Sequence, residues 1–354
     1  MRSFVFLLRL RRYASTLSAN GAERARRGAI RTHRFKAPLW LYVVAFASIA
    51  VPCVAQNYPT KPVRVVLPSP PGSAADIVTR AVTTKLAERM GQQFVVDARP
   101  GASGIIAAEI VARAVPDAYT LLVASSASHG INVSLYRKLP YDALRDYAHI
   151  SLLARMPLIV TVNPGLAAKN VKELIALAKA KAGQLNFASS GSGTTTHLAG
   201  ELLKLMTGVD FLHVPYKGSQ QALLDTISGQ TSMNIAPILT SLPQVKAGRL
   251  RALAVTTPAR STTAPDIPAV AESVPGYEAT LWYGLSAPAG TSRAIVARLN
   301  KEATSILAMD DVRGSLQQQG ADAAPTTPEA FEAYVKSEVA KWAKVVQASG
   351  ARPE

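Results

Sequence analysis

The amino-acid sequence predicts an α/β fold with at least two sheets, and three observations carry that reading. Short β-branched or apolar runs bounded by Gly, Pro and Ser recur along the chain, as buried parallel strands do. Between them lie segments with apolar residues three and four apart, the spacing of a helix that covers one face of a sheet. The alternation runs from Val63 to Ala124 and returns after Leu158, so more than one sheet is expected. The 354 residues, 48% of them hydrophobic, are ample for a packed core. No unit of 20–50 residues repeats, which excludes a solenoid.

The first element is a leader. Residues 1–36 hold ten Lys or Arg against one acid, Glu23, which is +9 of the formal +16 and leaves +7 for the remainder. The apolar stretch "APLWLYVVAFASIAVPCVAQ", Ala37 to Gln56, follows without a charged residue. A basic region, an apolar region and the small residues Cys53 and Ala55 around Val54 make residues 1–55 a secretory signal peptide, with cleavage after Ala55 and a mature chain starting near Gln56. The alternative is an uncleaved anchor, since about 20 apolar residues span a bilayer. Pro52 argues against lipid attachment at Cys53. That is the only cysteine, so export leaves a mature chain with no thiol and no disulfide.

Past the leader, "VRVVLP" (Val63 to Pro68), "FVVD" (Phe94 to Asp97) and "TLLVA" (Thr120 to Ala124) read as strands, with a helix from Ser73 that stops at Gly91. "LIVTVNP" (Leu158 to Pro164) opens the second run: helix from Val171, strand near Asn186, helix from Thr195, strand from Phe211, helix from Ser219, strand near Met233. Thr256 to Pro268 is a Pro- and Thr-rich loop, and long amphipathic segments from Ser292 and Pro328 finish the chain as helices.

Function is bounded first by exclusion. The charge left after the leader is dispersed, without a basic run or interleaved aromatics, so no nucleic-acid partner is expected. In "NFASSGSGTTTHLAGELL" Ser190 occupies the place where a nucleophile elbow needs its first glycine. No phosphate-binding loop exists, and Lys217 precedes Gly218 in a segment that reads as a turn. Of the histidines beyond the leader, His129, His149, His197 and His213, none is paired at metal-ligand spacing. His197 reads as a capping or packing residue and His213 as a satisfied core histidine. With carboxylate pairs also lacking, the expectation is no enzyme, no metal and no cofactor. What remains is three loops of one chemical type at strand-to-helix junctions: Pro68 to Asp76, Ser125 to Asn132 and Ser189 to His197. Each offers hydroxyls and backbone N–H groups without Lys or Arg. Such neutral donors suit reversible capture of an anion, outside the carboxyl ends of the strands.

The segments "YPTKPVRVVLPSPPGSAAD", "ARPGASGIIAAEIVARAVPDAYTLLVASSASHGIN", "FASSGSGTTTHLAGELLKLMTG", "VPYKGSQQALLDTISGQ" and "LWYGLSAPAGTSRAIVARLNKE" resemble, in order and spacing, those of the Bug family, the TctC-like extracytoplasmic solute receptors of tripartite tricarboxylate transporters. The resemblance runs from Tyr58 to the C-terminus. It implies a type II periplasmic binding protein fold, in which two α/β lobes joined by a two-strand hinge enclose a ligand cleft. Lobe 1 would comprise 56–157 and 285–354, and lobe 2 would comprise 158–284. The implied ligand is a small organic carboxylate, bound by a periplasmic monomer that delivers it to a membrane permease or a sensor kinase; a secreted α/β enzyme acting on small carboxylates is the alternative.

The same resemblance places backbone donors at Gly72, Ser73, Ala74 and Ala75 on one carboxylate, with Asp76 fixing the loop. Ser126, Ser128 and His129 belong to the same lobe. Ser190, Gly191, Ser192 and Thr195 approach from the other, and Asp225 matches a position that can face an amine or ordered water. The family's first loop reads close to P-[FY]-x-x-G-G-x-x-D. Here Pro68, Gly72 and Asp76 match, whereas Ser69 replaces the aromatic and Ser73 the second glycine, so this side of the pocket should be roomier and more polar.

Overall fold

The computed structural model describes residues 58–353; the signal peptide expected at 1–55 lies outside them. Among the described residues, ten strands run β1 (Val63–Leu67), β2 (Phe94–Ala98), β3 (Thr120–Ser125), β4 (Tyr147–Val162), β5 (Asn186–Ser189), β6 (Leu212–Pro215), β7 (Met233–Pro237), β8 (Arg251–Val255), β9 (Thr280–Pro288) and β10 (Asp322–Ala323). The α-helices are α1 (Ala74–Met90), α2 (Ile105–Ala112), α3 (Asn132–Leu135), α4 (Val171–Ala180), α5 (Thr195–Thr207), α6 (Ser219–Ile227), α7 (Ile238–Lys246), α8 (Arg293–Leu307), α9 (Asp310–Gln318) and α10 (Pro328–Ser349).

Caps set the helix ends where the sequence places them. The Ser73 hydroxyl accepts the Asp76 amide at 3.2 Å to start α1, and Gly91 ends it by donating its amide to the Ala87 carbonyl. Asn170 and Thr327 cap α4 and α10 in the same way.

The strand order is β2-β1-β3-β9-β4-β7-β5-β6, with β8 and β10 also paired to β4. β1 runs parallel to β2 and β3, and β5 runs parallel to β6 and β7. β9 is antiparallel to both β3 and β4, so the sheet is mixed. Because β1 is covered on both faces it is apolar apart from Arg64, which pairs with Asp97 of β2: Val65 clusters with α1 and α8 through Val82, Leu86 and Ile306, and Val66 clusters with α2 through Ala107 and Val111.

β4 belongs to both halves of the molecule. Tyr147 to Pro157 pair with β9, and Leu158 to Val162 pair with β7. The sequence reading begins this strand at Leu158, and the structure starts it eleven residues earlier. The chain returns beside this crossing at Ala279, whose amide donates to the Thr256 carbonyl, while the Thr256 amide donates to the Leu158 carbonyl and the Leu158 amide to the Thr256 hydroxyl. Two adjacent strands thus join a first lobe, built on β1, β2, β3 and β9, to a second built on β5, β6, β7 and β8. This is the two-lobed α/β arrangement expected.

The last helix also crosses. Phe331 and Val335 of α10 lie in the first lobe with Trp282, whereas Trp342, Val345 and Val346 enter the second lobe's core with Phe187 and Leu198. Between them sits Glu338, which is 1% exposed and accepts the indole N–H of both Trp282 and Trp342 at 2.9 Å. Lys341 Nζ pairs with its other oxygen, and the ion pair and the two indole donors together compensate the buried carboxylate.

Candidate functional site

Three chain segments converge on a cavity of about 350 Å³ between the lobes. The first is the collar between β5 and α5. Thr194 is the N-cap of α5, and its hydroxyl is the hub of the loop: it accepts the His197 amide at 3.3 Å and donates to the Gly191 carbonyl at 2.7 Å. Ser190 is tied to Thr196 through its amide (3.0 Å) and its hydroxyl (2.8 Å). Gly193 holds φ at +72°, and a Cβ there would sit 2.8 Å from the Leu135 side chain, so conformation and close approach to α3 both require glycine. The first turn of α5, with its unpaired amides and the positive end of the helix dipole, therefore opens onto the cavity.

His197 is a packing residue here, as the sequence suggests. Its Nδ1 accepts the Gly193 amide at 3.0 Å, and its ring stacks on His213 with centroids 3.7 Å apart. Burial, helped by His213 and the Lys204 charge, lowers its pKa to about 3, so the collar is neutral. His213 is not the core histidine expected: it is half-buried on the edge strand β6, 2.7 Å from the Ser189 hydroxyl.

The second segment follows β3 as a wide helical turn, Ala127–Ile131, that runs into α3. Ser126, Ser128 and His129 are wholly buried beneath it. Ser128 Oγ accepts the Ser125 amide and lies 3.0 Å from His129 Nδ1, while the His129 ring packs 4.5 Å from Tyr147. Burial, and after it the neighbouring His149, holds the pKa of His129 well below the ordinary histidine value. The cavity is instead lined from this segment by Ala127, Ile131, Asn132, Leu135 and Tyr136.

The third segment is the loop before α2. Residues 101–104 all have positive φ, two of them, Ala102 and Ser103, not glycine, and Ser103 lines the cavity. Successive left-handed residues are costly and cluster at binding sites. Asn132 Nδ2 donates to the Ser103 carbonyl at 3.0 Å and fixes the turn.

Of the residues expected from the sequence, Ser190, Ser192 and Thr195 line the cavity together, and Gly191 lies within the same loop. Gly72 to Asp76 are not among its lining; their loop lies behind it, with Pro68 3.0 Å from where a Cβ at Gly104 would be. Asp76 does fix that loop, accepting the Gly72 amide and Arg80 Nε, each at 2.9 Å. Burial alone would raise its pKa, but these two donors outweigh it and hold the carboxyl below the usual range. Asp225 is turned to Tyr216 OH (2.8 Å) and Gln221 (2.9 Å). Ser103, Asn132, Tyr136, Ser219, Pro237 and Leu281 were not anticipated; only Ser219, opening α6 beside a glycine, carried a local signal.

A larger hollow, about 740 Å³, lies outside the collar under the C-terminal segment and shares Ser192 and Pro353 with the cleft. It is lined by residues 192–213 and the C-terminal segment alone and by none of the loops that follow β1, β2 or β3, so the smaller cavity is the candidate site. Among the described residues, no group of three His, Cys, Asp or Glu side chains is placed to hold a metal ion, and no helix is long and apolar enough to cross a membrane.

Residues 78–351 match the tripartite tricarboxylate transporter family receptor, TctC. The chain belongs to this family. Among solved TctC-like structures, "R. palustris Rpa4515 with adipate" is 36% identical, aligns over 84% of this chain and 100% of its own, and superposes with a TM-score of 0.68. MatC from Rhodopseudomonas palustris with bound malate is 32% identical over 82% of this chain and 100% of its own, with a TM-score of 0.65. The periplasmic binding protein BugD is 31% identical over 84% of this chain and 100% of its own, also at 0.65. TctC is a family of receptors, not of enzymes, in keeping with the missing nucleophile elbow. Its two-lobed periplasmic binding protein fold is the one this chain adopts.

Proposed function

We propose that this protein is an exported receptor that reversibly captures a small organic carboxylate between its lobes for uptake or sensing. The observation that carries the reading is the cavity itself: it lies at the lobe boundary, its lining includes the hydroxyl-rich first turn of α5, and no lining residue is charged at neutral pH. A carboxylate gains strong hydrogen bonds from such donors without a salt bridge that slows release. The adipate and malate held by the relatives support this ligand class. The basic leader and apolar stretch at 1–55 support export, and BugD supports the periplasm as destination.

In this reading Ser190, Ser192 and Thr195 contact the ligand from the second lobe, expected over 158–284 from the sequence, with 56–157 and 285–354 as the first; the boundary is better drawn before β9, whose Trp282 clusters with Phe331 and Val335 of the first lobe. The first loop, Gly72 to Asp76, is outside the lining and its Gly72 amide is held by Asp76, so no donor to the ligand is assigned to it in this cavity. The receptor acts as a monomer, without catalysis, and hands its cargo to a membrane permease or a sensor kinase. A thermal-shift screen over mono- and dicarboxylates tests the core of this: ligand at 100 times its dissociation constant adds about 2.7 kcal/mol to stability. Mass spectrometry of the recovered ligand checks that it is unaltered. A screen with no stabilising carboxylate, or a chemically changed ligand, overturns the reading.

A further inference from the structure

We propose that the ligand is a carboxylate with one acid group on an apolar body and no ammonium group; this rests on the receptor reading above and names the subclass. The cavity has two chemically distinct walls. One is made of hydroxyls, Ser190, Ser192, Thr194, Thr195, Thr196 and Ser219, all on the loops that open α5 and α6. These two helices, 13 and 9 residues long, both direct their amino ends at this wall, so it is the place for the carboxylate.

The remaining lining is dominated by Ala127, Ile131, Leu135, Pro237 and Leu281. Outside the hydroxyl wall, polar groups come from Ser103, Tyr136 and Asn132, and the Asn132 amide nitrogen is already given to the Ser103 carbonyl. A second carboxylate would leave most of its oxygens against hydrocarbon, without donors to replace lost water. An ammonium group fares no better. No lining residue is acidic, and the one carboxylate the sequence offered for an amine, Asp225, accepts hydrogen bonds from Tyr216 and Gln221 instead. At about 350 Å³ the cavity lies at the small end of the range for ligand sites, which suits a body of a few carbons or one ring.

The test is calorimetric titration of the purified receptor with a homologous series, propanoate to heptanoate, beside benzoate, malate and aspartate. Each methylene seated on the apolar wall should tighten binding about fourfold until the cavity is full. Hexanoate or benzoate should then bind at least tenfold more tightly than malate or aspartate. Leu281→Asn, at a half-buried position of the apolar wall, should flatten the chain-length dependence, with hexanoate losing more affinity than propanoate. If malate or aspartate binds more tightly than every monocarboxylate, the proposal falls and the receptor reading stands. A flat chain-length dependence in the wild-type protein also overturns the proposal. If nothing in the panel binds, both fall.

Discussion

Replacing Thr194 by valine keeps the shape of the side chain and removes one oxygen, and the structure makes that oxygen the hub of the collar. Four hydrogen bonds are lost; those with the Thr196 hydroxyl (2.9 Å) and the Ser190 hydroxyl (3.4 Å) can be remade between those two side chains, which already lie 2.8 Å apart, and the other two set the cost. The first is the N-cap bond from the His197 amide, 3.3 Å long, whose removal costs about 1 kcal/mol. The second is the 2.7 Å bond to the Gly191 carbonyl, worth about 0.5–1.5 kcal/mol; Ser189 Oγ, 3.3 Å from the same carbonyl, offsets part of it. The sum is about 2 kcal/mol of apo stability. Urea unfolding of the wild type, Thr194→Val and Thr194→Ser measures it, with the serine variant expected within about 0.5 kcal/mol of wild type because it retains the hydroxyl. Carboxylate affinity should fall in step, since Ser190 and Gly191 would no longer be held in place beside the helix amides. A valine variant as stable as the wild type would refute the hub assignment. One that is destabilised but binds normally would show that the collar is structural only.

Three further outcomes follow from specific contacts. Burial lowers the pKa of His149 to about 4 and of His197 to about 3, and drives His129 the same way. The unfolded chain takes up protons near pH 6.5 that the folded chain refuses, so stability present above 6.5 is lost as pH falls, by about 1.4 kcal/mol per unit for each histidine. Urea midpoints should therefore drop steadily from pH 6.5 to 5, and constant midpoints would show these rings to be more solvated than the packing implies. Gly284→Ala places a methyl group on the Phe331 ring and should destabilise by about 1–3 kcal/mol, with partial recovery in the Phe331→Leu background. For Gly72→Leu, the backbone sits at φ +78° with no atom within 4 Å of the added Cβ. The variant should lose about 1–2 kcal/mol through the left-handed conformation alone, and unchanged ligand affinity would exclude this loop from the clamp.

Most of the elements were legible because their signals are local. Ser73 and Gly91 bracket α1 within the residues they cap, and Thr194 does the same for α5. Elements defined by their neighbours were not. The first half of β4 carries Arg155 and Pro157 and alternates poorly, and it is a strand because β9 lies beside it over Tyr147 to Pro157. α9 is too polar to announce itself, and α7 contains Pro243. α10 has one continuous apolar stripe, yet Phe331 and Trp342 on that stripe serve different cores, a distinction that exists only once the lobes are in place.

The site divides along the same line. The hydroxyl wall was readable as Gly and Ser before a helix start, because N-capping chemistry and anion-binding chemistry use the same groups at the same positions. "SSASHGIN" carries a similar composition, but the wide turn at Ala127–Ile131 rotates Ser128 and His129 into the first lobe and leaves Ala127 and Ile131 facing the cleft. The apolar wall had no signal of its own: Ile131 and Leu135 belong to the same buried cluster as Phe187 and Leu198, and what makes them lining is that a cavity ends on them. The polar half of such a site is therefore written in the chain as capping motifs. The half that selects the body of the ligand is set by where one core stops, which only tertiary packing determines.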